Sequence, residues 1–177
     1  VSLPQTILRY GSPLVIASAG LLAFLTTWED GDKPRPVVYA DPLVGIPTAC
    51  GGITHHTSPV PVIVGEYWSA AKCEEIKRMV VAGTQMRLID CITRAVPQKV
   101  FESLTSHSHN FGVASTCASR AVGLINAGRM EEGCDAIAHS PDGNPVWSYV
   151  GTTYVRGLYR RRLAERQMCL AGLKESQ

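Results

Sequence analysis

Charge is absent from the eighteen positions between Gly11 and Trp28, after which Glu29, Asp30 and Asp32 follow almost at once. Leu14 to Glu29 reads as a helix that stops near Gly31, because Pro34 and Pro36 bar continuation and favour extended backbone. Val37, Val38 and Tyr39, the turn signals Asp41-Pro42 and Gly45, Ile46 to Thr48 and then Gly51-Gly52 predict a small hairpin or three-stranded sheet over Pro36 to Thr57. Ser58 to Gly65, with Pro59 and Pro61, predicts loop or edge strand.

From Ser69 the apolar spacing changes to the helical period. Ile76, Met79, Val80, Ile89 and Ile92 line one face of a helix over Ser69 to Thr93, weakened at Gly83. Pro97 suits the first turn of a helix from Gln98 to His109. Ser115 and Thr116 cap a third that Gly128 closes, Met130 to Ala138 forms a fourth, and Tyr154 to Gly172 a basic terminal helix. Strands early and helices late, without alternation, define an α+β architecture: a small β-containing lobe at about 29–67 and a larger helical lobe at about 68–177, bridged by the Ser69 helix. A substrate cleft is expected between the two lobes.

The uncharged segment is at the short end of what crosses a bilayer, and its Gly, Ala, Ser and Thr content makes its transfer energy weak. Arg9 before it and three carboxylates after it favour a cytoplasmic N-terminus and an exported body. A buried core helix and a cleaved signal peptide, with Ala17-Ser18-Ala19 as the cleavage site, are the competing readings. Six scattered cysteines with no Cys-x-x-Cys pair agree with export, because they favour disulfides over a zinc knuckle.

A chain of 177 residues, 45% apolar, is large enough for a core, and a net charge of +2 gives no reason to expect nucleic acid. His55-His56 and His107-x-His109 lack metal-ligand spacing, so neither metal nor cofactor is expected. The arginines Arg156, Arg160, Arg161, Arg162 and Arg166 read as a solvated face partly paired with Glu165. Trp68, Trp147 and Tyr149 are candidates for stacking on sugar rings, with buried packing favoured for Trp147.

Glycoside hydrolysis needs one protonated carboxyl for the leaving oxygen and a second, ionised one for water or direct attack. Glu29 fits the first role: an apolar helix end desolvates it, and the helix C-terminus disfavours its negative charge. Asp41 on its turn fits the second, with the Thr48 hydroxyl positioning water.

Trp28-Glu29, Tyr39-Ala40-Asp41-Pro42, Gly45-Ile46-Pro47-Thr48 and Cys50-Gly51-Gly52-Ile53-Thr54 resemble the active-site block of phage-type lysozymes, glycoside hydrolase family 24. His109-Asn110-Phe111-Gly112, Leu124-Ile125-Asn126-Ala127-Gly128, Gly133-Cys134-Asp135 and the run Gly157 to Arg166 followed by Cys169 recur in family order. The likeness spans about Leu14 to Cys169, with the Glu29 to Asp41 and Asp41 to Thr48 intervals longer than the family's; Gly31 to Pro36 and Val44 are where loop insertions would fall.

The resemblance implies a lysozyme-like fold and a monomeric endolysin that cuts the β-1,4 bond between N-acetylmuramic acid and N-acetylglucosamine. Its catalytic residues would be Glu29, Asp41 and Thr48, with Thr54 and Asn110 binding the glycan strand of peptidoglycan. It further implies the signal-arrest-release branch from lambdoid phages: residues 1–28 tether the protein transiently to the inner membrane, and residues 29–177 form the catalytic domain that later acts in the periplasm. Cys50 would then either form an inhibitory disulfide in the tethered state or belong to a structural pair. A non-catalytic glycan-binding module of the same fold is the alternative.

Overall fold

The computed structural model describes residues 5–29, 35–42 and 45–175, Glu29 by its backbone alone. Asp30, Gly31, Asp32 and Val44 lie outside the described residues. The chain forms two compact units, one within Ala17–Gly83 and one joining the hairpin before Ala17 to everything from Thr84 onward.

The expected helix from Leu14 is a strand instead. β1 (Thr6–Arg9) and β2 (Ser12–Val15) form an antiparallel hairpin with Arg9 opposite Ser12. The two turn residues, Tyr10 and Gly11, have φ of 49° and 82°, the left-handed pair that matches strand twist in a two-residue hairpin. Pro13 sits without strain in a two-stranded edge, and Val15 and Ile16 are β-branched, so an uncharged stretch mistaken for helix folds as sheet. Polar anchors fix the hairpin: the Ser12 hydroxyl donates to the Val96 carbonyl at 2.9 Å. The Gln98 amide accepts from the Val15 N–H at 2.9 Å and donates to the Val15 carbonyl at 3.0 Å.

α1 (Ala19–Glu29) starts only after Ser18, whose hydroxyl oxygen accepts the Leu21 N–H at 3.1 Å as an N-cap. The uncharged run is thus divided between a strand, a turn with Ala17 at φ 47° and an eleven-residue helix. Among the described residues no helix is long and apolar enough to cross a membrane.

β3 (Tyr39–Ala40), β4 (Pro47–Ala49) and β5 (Ile53–Thr54) make the expected three-stranded antiparallel sheet. Ala49 and Ile53 pair across it and enter a core with Val38, Val62, Trp68, Ile76 and Val80. Trp68 is therefore a core residue, 1% exposed, and not a sugar platform. α2 (Ala70–Leu88) runs through Gly83 without a break and ends in a 3₁₀ turn at Ile89–Cys91.

In the second unit α3 (Gln98–Phe111) follows Pro97. The single helix expected after Ser115 is two, α4 (Val113–Cys117) and α5 (Arg120–Asn126). Ser119 interrupts it, its hydroxyl capping the Val122 N–H at 3.2 Å. α6 (Met130–Asp135) packs on α5 where Gly133 leaves no room for a side chain: a Cβ there would meet Ile125 Cγ1 at 2.5 Å. A second hairpin, β6 (Tyr149–Val150) with β7 (Thr153–Tyr154), precedes α7 (Arg156–Glu175). All six cysteines are paired, as Cys50–Cys73, Cys91–Cys117 and Cys134–Cys169.

Candidate active site

The sheet of the first unit assembles part of the expected constellation. Thr48 is the cross-strand partner of both Tyr39 and Thr54, and paired residues in an antiparallel ladder share a face. The ladder continues one step past β3, since the Asp41 N–H donates to the Ile46 carbonyl at 2.9 Å, and Gly45 N–H returns to the Asp41 carbonyl at 2.7 Å. Side chains alternate along a strand, so Asp41 lies on the face of Tyr39, and Asp41, Thr48 and Thr54 all share the side opposite the Ala49–Ile53 core.

Thr48 is 5% exposed and its hydroxyl donates to the Ile46 carbonyl at 3.0 Å, which locks its rotamer. Asp41 and Thr54 are half-buried, within reach of solvent. Cys50, Gly51 and Gly52 follow β4 with φ of 48°, 76° and 138°; the last is a conformation that favours glycine, and this sharp return brings Thr54 back opposite Thr48.

Glu29 is the last residue of α1, at the end where the peptide dipoles place partial negative charge. One turn earlier the Thr26 hydroxyl accepts a hydrogen bond from Lys77 Nζ at 3.0 Å, tying α1 to α2 three residues before Glu29. α1 and the first turns of α2 enclose an apolar groove of ≈ 550 Å³, walled by Leu22, Ala23, Thr26, Cys50, Trp68 and Cys73. Asn110, in the last turn of α3, is exposed and belongs to the second unit. Cys50 is buried and bonded to Cys73, which is the structural-pair reading of that residue. Among the described residues no group of three or more His, Cys, Asp or Glu is placed to hold a metal ion.

The second unit holds a polar cluster that helical periodicity did not reveal. Arg161 and Arg162, expected on a solvated face, are buried, and Arg162 and Glu165 are both 0% exposed. Glu165 accepts from Arg162 Nη2 at 2.7 Å, Arg161 Nε at 3.3 Å and the Ser106 hydroxyl at 2.6 Å, cross-linking α7 to α3. Burial pushes the Glu165 carboxyl up against the pull of the two guanidiniums and the hydroxyl, and it pushes the Arg162 guanidinium down to about 10.

Next to this cluster, His107 Nδ1 lies 2.8 Å from the Thr116 hydroxyl, with the Trp147 ring edge-on at 4.7 Å and Phe111 at 5.2 Å. Burial first, and then the positive charges of Arg162 and Arg161, push His107 down to about 3, so it is neutral at physiological pH. The one visible sequence signal was the i, i+3 and i, i+4 placement of two arginines before Glu165, the spacing of an intrahelical ion pair.

A short antiparallel sheet and one long helix leading into a larger helical unit constitute a lysozyme-like α+β fold. The crystal structure of a phage P22 lysozyme mutant has that fold, with a TM-score of 0.71, 23% identity, and 86% of this chain and 97% of that chain covered. The phage lysozyme family matches residues 32–165, and the chain belongs to it. It is 31% identical over 166 residues to the SAR-endolysin of Pseudomonas phage phiKMV, covering 90% of this chain and 89% of that one. To the SAR-endolysin of Enterobacteria phage P21 it is 26% identical over 157 residues, covering 89% and 88%.

Proposed function

We propose that this protein is a phage endolysin, a muramidase that hydrolyses the β-1,4 bond between N-acetylmuramic acid and N-acetylglucosamine in peptidoglycan. The observation that carries this reading is the shared sheet face of Asp41, Thr48 and Thr54 in a chain whose family match covers residues 32–165.

Glu29 acts as general acid, since a helix C-terminus favours the protonated carboxyl. It donates its proton to the glycosidic oxygen as the bond from that oxygen to the anomeric carbon breaks. A water then adds to the anomeric carbon and gives up a proton to the Asp41 carboxylate, while the fixed Thr48 hydroxyl helps hold that water. Thr54 and Asn110 bind the glycan.

The Gly11 to Trp28 segment tethers the protein to the inner membrane before release to the periplasm, where it works as a monomer. The SAR-endolysin names of the relatives support that route, and so do the three disulfides, which belong to an oxidising compartment. In the form described here Cys50 serves the fold through Cys73.

The test is Glu29→Gln assayed for turbidity loss on isolated cell walls. It is expected to lose at least about a hundredfold in rate, the lower range of general acid catalysis, with its melting temperature unchanged. Near-normal lysis would remove Glu29 from the mechanism.

A further inference from the structure

The β6–β7 hairpin has only two residues per strand, too short to build a core, yet it presents aromatic rings to solvent. Tyr149 and Tyr154 are cross-strand partners with ring centroids 5.7 Å apart, and they remain 45% and 44% exposed. The row continues inward: Tyr154 to Tyr159 is 6.1 Å and Tyr159 to His139 is 6.0 Å, with the Tyr159 hydroxyl 3.0 Å from His139 Nε2. Rings left nearly half in water keep surface free for a ligand. Their faces suit the axial C–H groups of a pyranose ring.

His139 also lines a separate, open cavity of ≈ 420 Å³ whose other walls include Arg120, Arg166, Glu132 and Asp135. Both signs of charge meet there. Arg166 Nε donates to Asp135, and Arg120 Nη1 donates to the His139 carbonyl at 3.3 Å. Guanidinium forks recognise carboxylates; Asp135 and Glu132 are each paired with an arginine, Arg166 and Arg129, yet a carboxylate keeps lone pairs beyond such a bond for an ammonium group, so the cavity has groups for both ends of a zwitterionic peptide. A sugar platform running into a zwitterion pocket matches a glycan strand whose muramic acid units carry short peptides with free carboxylate and amino groups.

We propose that this face of the helical unit is a second, non-catalytic peptidoglycan site, where Tyr149, Tyr154 and Tyr159 take the sugar rings and the charged cavity takes the stem peptide. The proposal rests on the muramidase reading for its choice of polymer.

The test is cosedimentation of the full chain with purified insoluble sacculi in the cold, with reducing ends counted in the same tubes. Y149A/Y154A is expected to bind about tenfold more weakly, the sum of two stacking contacts, and Y149F/Y154F to bind like the parent. All variants should hydrolyse short soluble glycan at the parental rate and stay folded at the temperature of the binding assay. Sacculi stripped of stem peptides should bind the parent protein less well. Parental binding by Y149A/Y154A, equal weakness of the Phe and Ala pairs, or equal binding to stripped and intact sacculi overturns the site. So does a concentration-dependent dimer that Y149A/Y154A abolishes. Tight binding without new reducing ends instead counts against the muramidase reading and leaves this surface standing.

Discussion

The two compact units solve opposite problems with polar side chains. In the first, the core is apolar and the hydroxyls and carboxylate of interest, Thr48, Thr54 and Asp41, stand on the sheet face turned away from it, held by backbone register and a single disulfide. In the second, charges are taken into the interior: Glu165 lies between two arginines and a serine, with a neutral histidine close by. The first arrangement leaves Asp41 and Thr54 within reach of solvent beside a buried Thr48, whereas the second uses charged groups to fasten helices. Asp41, Thr48 and Thr54 should therefore be judged by rate, and Glu165, Arg161 and Arg162 by stability.

The largest effect that can break this contrast is in the buried cluster. Glu165→Ala strands two arginines without their carboxylate and is expected to cost about 3–5 kcal/mol. In a chain of this length that lowers the melting temperature by roughly 6–20 °C. The variant molecules that stay folded at low temperature should keep the parental rate per folded molecule. A stable Glu165→Ala protein with poor catalysis would mean that the cluster serves the chemistry.

A smaller effect comes from His107. Its folded-state value is lowered to about 3, while an unfolded chain takes up a proton below about 6.5, so stability falls as pH drops from 6.5 toward 3. From pH 7 to pH 5 this group alone should remove about 2 kcal/mol. Glu165 has the opposite sign, since a raised carboxyl contributes stability that is present at low pH and fades as pH rises through its folded value; it is common to both proteins in the comparison. Urea titrations of the parent and His107→Gln at both pH values isolate the histidine. The variant should lose less stability on acidification, and parallel losses would show that His107 is not the group responsible.

The parts of the fold that are written locally were legible. Gly51-Gly52 and the β-formers on either side announced the three-stranded sheet, and Pro97 announced α3. Glu29, Asp41 and Thr48 stood out because carboxylates at an apolar helix end and on a turn are chemically conspicuous, and a family pattern joined them.

What stayed hidden was decided by tertiary partners. The local signs at Leu14-Val15, a neighbouring Pro13 and β-branched side chains, are weak beside a continuous uncharged run; the strand is fixed when Ser12 and Gln98 find hydrogen-bond partners more than eighty positions apart. Arg161 and Arg162 looked solvated because charge predicts exposure unless a buried partner exists, and Ser106 and Glu165 are such partners only once α3 meets α7. Ser119 looked helical until its side chain proved to be a cap.

The central claim, that this chain cleaves a glycosidic bond between wall sugars, is most directly tested by digesting purified sacculi and analysing the soluble products by mass spectrometry after borohydride reduction. New reducing ends at N-acetylmuramic acid, absent with Glu29→Gln, are the expected result. Intact glycan strands, or products cut only within the peptides, would contradict it.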